Sequence, residues 1–309
     1  MAFADDLMTI AKAIEGQVVA TLCAKWNGQH PVYTPGLYAD PVATRQHFGI
    51  TEAFQPWSLL PDPAAFQPVA DSLKQAMGLL RVDAQFTDPV DPSDQFGMAR
   101  QEYQALVSED PINNWSGATA DNFRDKFMSH FKANTENTAI MISVLKAALE
   151  AHSTLWANAR NDIMSIAQKT VAAMQVNTGG GCDQNAWVML FSALSGIAAI
   201  AAVPLSGGTS LAAAMTVTAI GSASSMATNA IPMMKSNDQA PYHADTLEDG
   251  ITAMKSAMDA LRMRIDTGLM SIAVSLIENV SFVDAQKQSL FMMAKPNLAT
   301  NDPNLIAGR

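Results

Sequence analysis

Cysteine is scarce in this 309-residue chain: only Cys23 and Cys182 occur. They suffice for one disulfide at most, and no spacing says that they meet, so no redox compartment follows. Read plainly, they are two isolated small apolar residues. Positive charge is also short. Nineteen Lys and Arg stand against 29 Asp and Glu, for a formal charge of −10. The chain as a whole therefore lacks the electrostatic footprint that attracts phosphate backbones, and a nucleic-acid role is disfavoured. Positive charge is missing again where a signal peptide needs it, because Asp5 and Asp6 open the chain. No uninterrupted apolar run follows them, so Sec-type export is not expected; the cytoplasm or a route without a cleaved signal remains. Aromatics are held to 7%, and β-branched runs with strict alternation are hard to find, whereas Met reaches 19 residues. Ala and Met favour helix, and the expected fold class is all-α.

Arrangements that carry chemistry are equally sparse. The five histidines (His30, His47, His130, His152 and His243) are scattered, with no HExxH and no pair at metal-ligand spacing. His130 and His152 share one helical stretch but lie about six turns apart, too far for a common metal. Gly179-Gly180-Gly181-Cys182 and Ser206-Gly207-Gly208-Thr209 are glycine-rich, yet neither precedes the lysine of a phosphate loop, and GxSxG does not occur. The chain reads as a non-enzyme with no catalytic residue, no metal site and no cofactor.

What is present is helical periodicity. In residues 3–25, Leu7, Ile10, Ile14, Val18 and Leu22 fall at steps of three and four, one stripe of an amphipathic helix. From Trp26 to about Pro63, Pro31, Pro35, Pro41, Pro56, Pro61 and Pro63 forbid any long element. Tyr33, Tyr38, Phe48, Phe54 and Trp57 anchor this region as an ordered, irregular loop. Helix returns over 64–82 with Phe66, Val69, Leu73, Met77 and Leu80 in register, and Asp88-Pro89-Val90-Asp91-Pro92 stops it. A short helix, about 94–108, leads to the Asp110-Pro111 break. From Ala118 to about Val176 there is neither Pro nor Gly. Phe123, Phe127, Phe131, Met141, Leu145, Leu149, Trp156, Ile163, Ile166 and Met174 supply its apolar face, and a straight helix of this length runs roughly 85–90 Å. Its counterpart begins at Leu247, with Ile251, Met254, Met258, Leu261, Ile265, Leu269, Ile272, Leu276, Val280 and Val283 at steps of three and four. Neither stripe is stable in water alone, so the two are expected to pack antiparallel in an elongated bundle. Four regions result: 1–63, N-terminal helix and Pro-rich stretch; 64–183, with the first long helix; 184–234, apolar hairpin; and 235–309, the last long helix with a frayed tail.

Between the long helices, no residue from Gln184 to Met234 is charged. Pro204-Leu-Ser-Gly-Gly-Thr209 divides this run into Ala186–Val203 and Thr209–Ile231, each near the roughly 20 apolar residues of a bilayer span. The first arm holds Trp187, Phe191, Ile197 and Ile200; the second is mostly Ala, Ser, Thr and Met, which suits close helix packing more than lipid. Two antiparallel helices turning at Pro204, Gly207 and Gly208 are expected, either buried in the protein's own core or able to enter a membrane.

One junction carries a recognisable pattern. Trp115-Ser116-Gly117 follows Asp110-Pro111, and Ala120 and Phe123 continue on the same face, giving W-x-G-x-x-A-x-x-F with Arg124-Asp-Lys-Phe127 beyond. Gly permits a tight reversal there, and Trp115 is expected to be largely buried between the helices it joins. This resembles the WXG family of helical-hairpin proteins handled by type VII (ESX) secretion systems, in particular its larger actinobacterial relatives, over about residues 94–176. Two features depart from that pattern. The helix before the turn is interrupted at Asp88–Pro92, and none of Tyr33, Tyr38, Tyr103 and Tyr242 has an acid four residues on, so the family's Tyr-x-x-x-Asp/Glu export signal is absent. A partner would then carry the signal. The resemblance implies a secreted or surface-associated protein, without a cleaved signal peptide, that works through a protein partner or as a homo-oligomer. The alternative is a membrane-associated, pore-forming protein, because long helix, apolar hairpin, long helix is also the layout of α-helical pore-forming toxins.

Overall fold

Helical periodicity in the sequence becomes helix over most of the residues that the computed structural model describes, namely 2–29, 48–80, 114–177, 188–189, 200–204, 216–220, 242–243 and 247–290. The fold class is all-α. Helix α1 is Ala2–Gln29, α2 Ile50–Phe54, α3 Gln67–Leu80, α4 Ala118–Phe123, α5 Ser129–Asn177 and α6 Leu247–Leu290. The 3-10 turns Gln55–Leu59 and Pro63–Phe66 and a π-helical turn, Arg124–Met128, complete the helical part. Four short strands accompany them: β1 Val188–Met189, β2 Ile200–Pro204, β3 Thr216–Ile220 and β4 Tyr242–His243. They form two separate antiparallel ribbons, β1 with β4 and β2 with β3.

The chain divides into two compact units, and each long helix contributes to both. The first unit comprises Met1–Pro63, Thr154–Ala199 and Ile231–Leu269. Its interior is apolar and large: Leu7, Ile14, Ile50, Phe54, Leu155, Ile163, Ile166, Met254 and Leu261 are fully buried. Leu7, Ile14 and Val18 keep the inward face foreseen for α1, and Ala11 joins them. Polar ties fasten this unit. Thr51 Oγ1 donates to Glu15 Oε2 at 2.8 Å, and Lys255 Nζ donates to the Phe48 carbonyl at 2.8 Å. Arg160 donates from Nη2 to the Leu60 carbonyl at 2.8 Å, meets Asp62 at 3.3 Å, and lies 4.7 Å above the Phe3 ring. One guanidinium therefore joins α5, α1 and the segment before α3.

The second unit comprises Ala64–Ser153, Ile200–Ala230 and Met270–Arg309. Its interior is built differently, from Ala70, Met77, Ala120, Met128, Ala139, Val144, Ala147, Ala148, Ala151 and Ile272. Small side chains bring backbones close but remove little area from water per residue.

Several expectations need correction. Trp26–Gln29 continue α1, and residues 50–59 form α2 and a 3-10 turn where an irregular loop was foreseen. Pro56 fits there because the first residues of a helix have no partner for an amide proton anyway. In α3 the inward residues are Ala70 and Met77, and Val69 is exposed. The long helix begun at Ala118 is not uniform α-helix, since the π-helical turn Arg124–Met128 interrupts it. Leu145 is exposed on α5, and Val280 on α6, although both belong to the expected apolar stripes. The helical arms expected at 186–203 and 209–231 are strands over 200–204 and 216–220, paired from Ile200 with Ile220 to Pro204 with Thr216. Ile200, Val203, Thr216, Val217, Thr218 and Ile220 are β-branched, and stiff χ1 torsions favour extended backbone over helix. The Asp88–Pro92 break, the short helix 94–108, Cys182 and the tail 297–309 lie outside the described residues.

Candidate functional site

The W-x-G junction is built from the backbone outward. Gly117 sits at the N-cap of α4 with φ 102° and ψ 171°, a conformation essentially confined to glycine. Its carbonyl accepts from the Asp121 amide at 3.1 Å, which starts the helix. Ala120, one turn in, is fully buried. Trp115 precedes the helix rather than standing in it, and here the sequence expectation is corrected: its side chain is 38% exposed instead of largely buried. The indole lies against Phe123, with ring centroids 5.5 Å apart and planes at 49°. Its backbone is held by Arg124, whose Nη2 donates to the Trp115 carbonyl at 2.7 Å while Nη1 reaches Asp121 at 3.3 Å.

From there the aromatics continue as a row. Phe123 stacks on Phe127 at 4.9 Å, and Phe127 meets Phe131 at 6.0 Å. All three phenyl rings are half-buried. The row therefore runs along α4, the π-helical turn and the start of α5 with one edge in solvent. Spacing by four residues made Phe123, Phe127 and Phe131 legible as one face, and the structure brings Trp115 into the same row. It also brings together Trp115, Gly117, Ala120 and Phe123. Of the candidate membrane residues, Ile200 and Pro204 begin and end β2, and Trp187, Phe191, Ile197, Gly207 and Gly208 lie outside the described residues.

Sequence reasoning missed a second feature of this unit. Several polar side chains point inward: Asn134, Thr135, Asn137, Ser143, Lys146 and Asn279 are buried. Apolar ones point outward, with Leu145, Met270, Val274, Ile277 and Val280 exposed. Burying amides and an ammonium needs partners for each. Lys146 Nζ meets Glu150 Oε1 at 3.2 Å, and Thr135 Oγ1 donates to the Phe131 carbonyl at 2.8 Å. The available signal was the run of small residues on α5 at 139, 143, 147, 148 and 151, which hydrophobic stripes do not register.

His152 stands edge-on to Phe66, centroids 5.8 Å apart and planes at 87°. Burial lowers its pKa below the ordinary 6.5, because desolvation penalises the imidazolium. The unfolded chain then binds more protons than the folded one as pH falls through 6.5, so this contribution to stability is intact above 6.5 and lost on acidification. The melting temperature is expected to fall between pH 7.5 and pH 5.5, and to fall less in His152→Gln. Equal drops in both proteins would contradict it. Among the described residues no group of three His, Cys, Asp or Glu side chains is arranged to hold a metal ion.

No family model, curated protein or solved structure matches the chain.

Proposed function

We propose that this protein is exported by a type VII route and acts outside the producing cell or at its surface by protein–protein contact, without catalysis. The observation that carries the reading is the junction at Trp115–Gly117. A glycine in a conformation that other residues avoid starts the helix, with a tryptophan ring tilted against that of the phenylalanine eight residues on. The half-exposed aromatic row beyond it supports a contact surface, since rigid aromatic edges bind at low conformational cost.

The test is secretion from an actinobacterial host, with and without the membrane ATPase of its type VII system. The chain is expected in the culture filtrate or cell envelope only when that ATPase is present. Gly117→Val, which forces a β-branched side chain into φ 102°, is expected to reduce export at least tenfold while circular dichroism stays helical. Export that ignores the ATPase overturns the reading.

A second reading, insertion into bilayers, is favoured by one observation. The uncharged centre holds an antiparallel ribbon, β2 with β3, between two long helices. A two-stranded ribbon is marginal in water by itself. On the first reading, liposomes keep a trapped dye when the purified protein is added. Release that Ile200→Asp abolishes would move the assignment to a pore-forming protein.

A further inference from the structure

Helix α6 reverses its polarity along its length. Within the first unit it is ordinarily amphipathic: Met254, Met258, Leu261 and Ile265 are buried, while Asp259, Arg262 and Asp266 are exposed. Within the second unit, which takes the helix from Met270 onward, the pattern is inverted. Asn279 is buried there, as is Ile272, whereas Met270, Val274, Ile277 and Val280 are 44–65% exposed. At 3.6 residues per turn these four occupy an arc of about 120°, which Ala273, also exposed, helps to fill. Glu278, the one charged residue between Met270 and Ser281, falls outside that arc. Helix α5 shows the same inversion inside this unit, because Asn134, Asn137 and Lys146 are buried and Leu145 is exposed. Large apolar groups in one contiguous exposed patch mark an interaction surface.

We infer that this face of α6, from Met270 to Val280, rests on a lipid surface, at the boundary between zwitterionic headgroups and acyl chains. Two observations choose that occupant. The first is the inversion itself. Water favours amides and ammonium groups outside and large aliphatic side chains inside; hydrocarbon favours the reverse, with polar groups turned into the bundle. A protein partner would use the apolar patch equally well, but gives no reason to turn Asn134, Lys146 and Asn279 inward. The second is size. The patch covers about 15 Å of one helix, whereas stable protein interfaces bury about 1,200–2,000 Å² with about 20–30 residues a side. A helix face on a membrane has no such minimum, since its binding scales with the apolar area that leaves water. Charge sets the depth and the lipid. Asp284 stands on the same arc one turn past Val280 and ends the face, which keeps it at the interface. The formal charge of −10 disfavours anionic headgroups. The same unit also holds residues 200–230, where no side chain is charged. The inference stands without the export reading, and a dye trapped in vesicles stays inside on both, because nothing crosses the bilayer.

The experiment is flotation of the purified chain with phosphatidylcholine vesicles. The wild type is expected to float with them. Met270→Asp and Ile277→Asp are each expected to weaken binding roughly tenfold or more. Both positions face water in the free protein, so circular dichroism is expected to stay helical. Leu59→Asp, at an 81% exposed site of the first unit, is expected to bind as the wild type does. Contact is read with an environment-sensitive fluorophore after Cys23→Ser and Cys182→Ser. On Ile277→Cys its emission shifts to the blue when vesicles are added, and on Asp259→Cys it does not. A chain that fails to float, binding that Met270→Asp and Ile277→Asp leave intact, equal loss in Leu59→Asp, binding that only Ile200→Asp abolishes, or a lipid-free dimer that Met270→Asp dissociates would each overturn the inference.

Discussion

Leu261→Ala and Ile163→Ala are each expected to lower the free energy of unfolding by about 2–5 kcal/mol, read as a drop in the urea midpoint. Both side chains are fully buried, one on α6 and one on α5, in the unit whose interior is large and apolar. Truncation removes transfer free energy and leaves a cavity in a close-packed interior that relaxes only partly. A domain's net stability is only about 5–15 kcal/mol, so either change takes away a large share. Leu145→Ala is the control. That residue is 43% exposed although the sequence placed it in the same stripe as Ile163, and it is expected to stay within about 0.5 kcal/mol of wild type. Equal losses at Leu145 and Ile163 would show that the apolar pattern, rather than the observed burial, predicts the core.

That contrast marks how far the sequence could be read. The existence of α1, α3, α5 and α6 was legible, because Leu7-Ile14-Val18 and Ile251-Met254-Met258-Leu261-Ile265 repeat at a period that only a helix makes one-sided. The start of α6 was legible to the residue, at Leu247, where the apolar steps of three and four begin. Less legible was which side of a helix turns inward when its core positions are Ala, Ser and Asn. Periodicity weighs Leu145 as core and Lys146 as surface, and the structure reverses both. Fold position decided this, since Ala147, Ala148 and Ala151 can approach a neighbour more closely than a leucine face allows. Strands β2 and β3 were missed because an uncharged run rich in Ala reads as helix, while the β-branched clusters at 200–203 and 216–220 are short. At the candidate site, the W-x-G spacing located the start of the helix at Ala118. It did not give the exposure of Trp115, which depends on what covers the indole rather than on its neighbours in sequence.

The inverted interior makes a prediction with an asymmetry that a simple ion pair would not give. Lys146 is 3% exposed, whereas the Glu150 side chain that it meets at 3.2 Å is 37% exposed. Removing the carboxylate takes an acidic partner from an ammonium that water cannot reach; removing the ammonium takes a partner from a carboxylate that water can reach. Glu150→Leu is therefore expected to destabilise by about 3 kcal/mol, near the lower end of what losing one partner of a buried pair costs. Lys146→Met keeps much the same volume and deletes the desolvated charge, so it is expected within about 1 kcal/mol of wild type, on the stabilising side. The double substitution should resemble Lys146→Met alone, because the penalty in Glu150→Leu belongs to the buried charge of the lysine and vanishes with it. Urea midpoints measured for the four proteins at pH 7.5 close this cycle. The expected order is Lys146→Met at or above wild type, the double variant beside it, and Glu150→Leu well below. If Lys146→Met fell as far as Glu150→Leu, the lysine would be holding the interior together through its other partners, and the polar seam of α5 would be a stabilising network rather than a tolerated one.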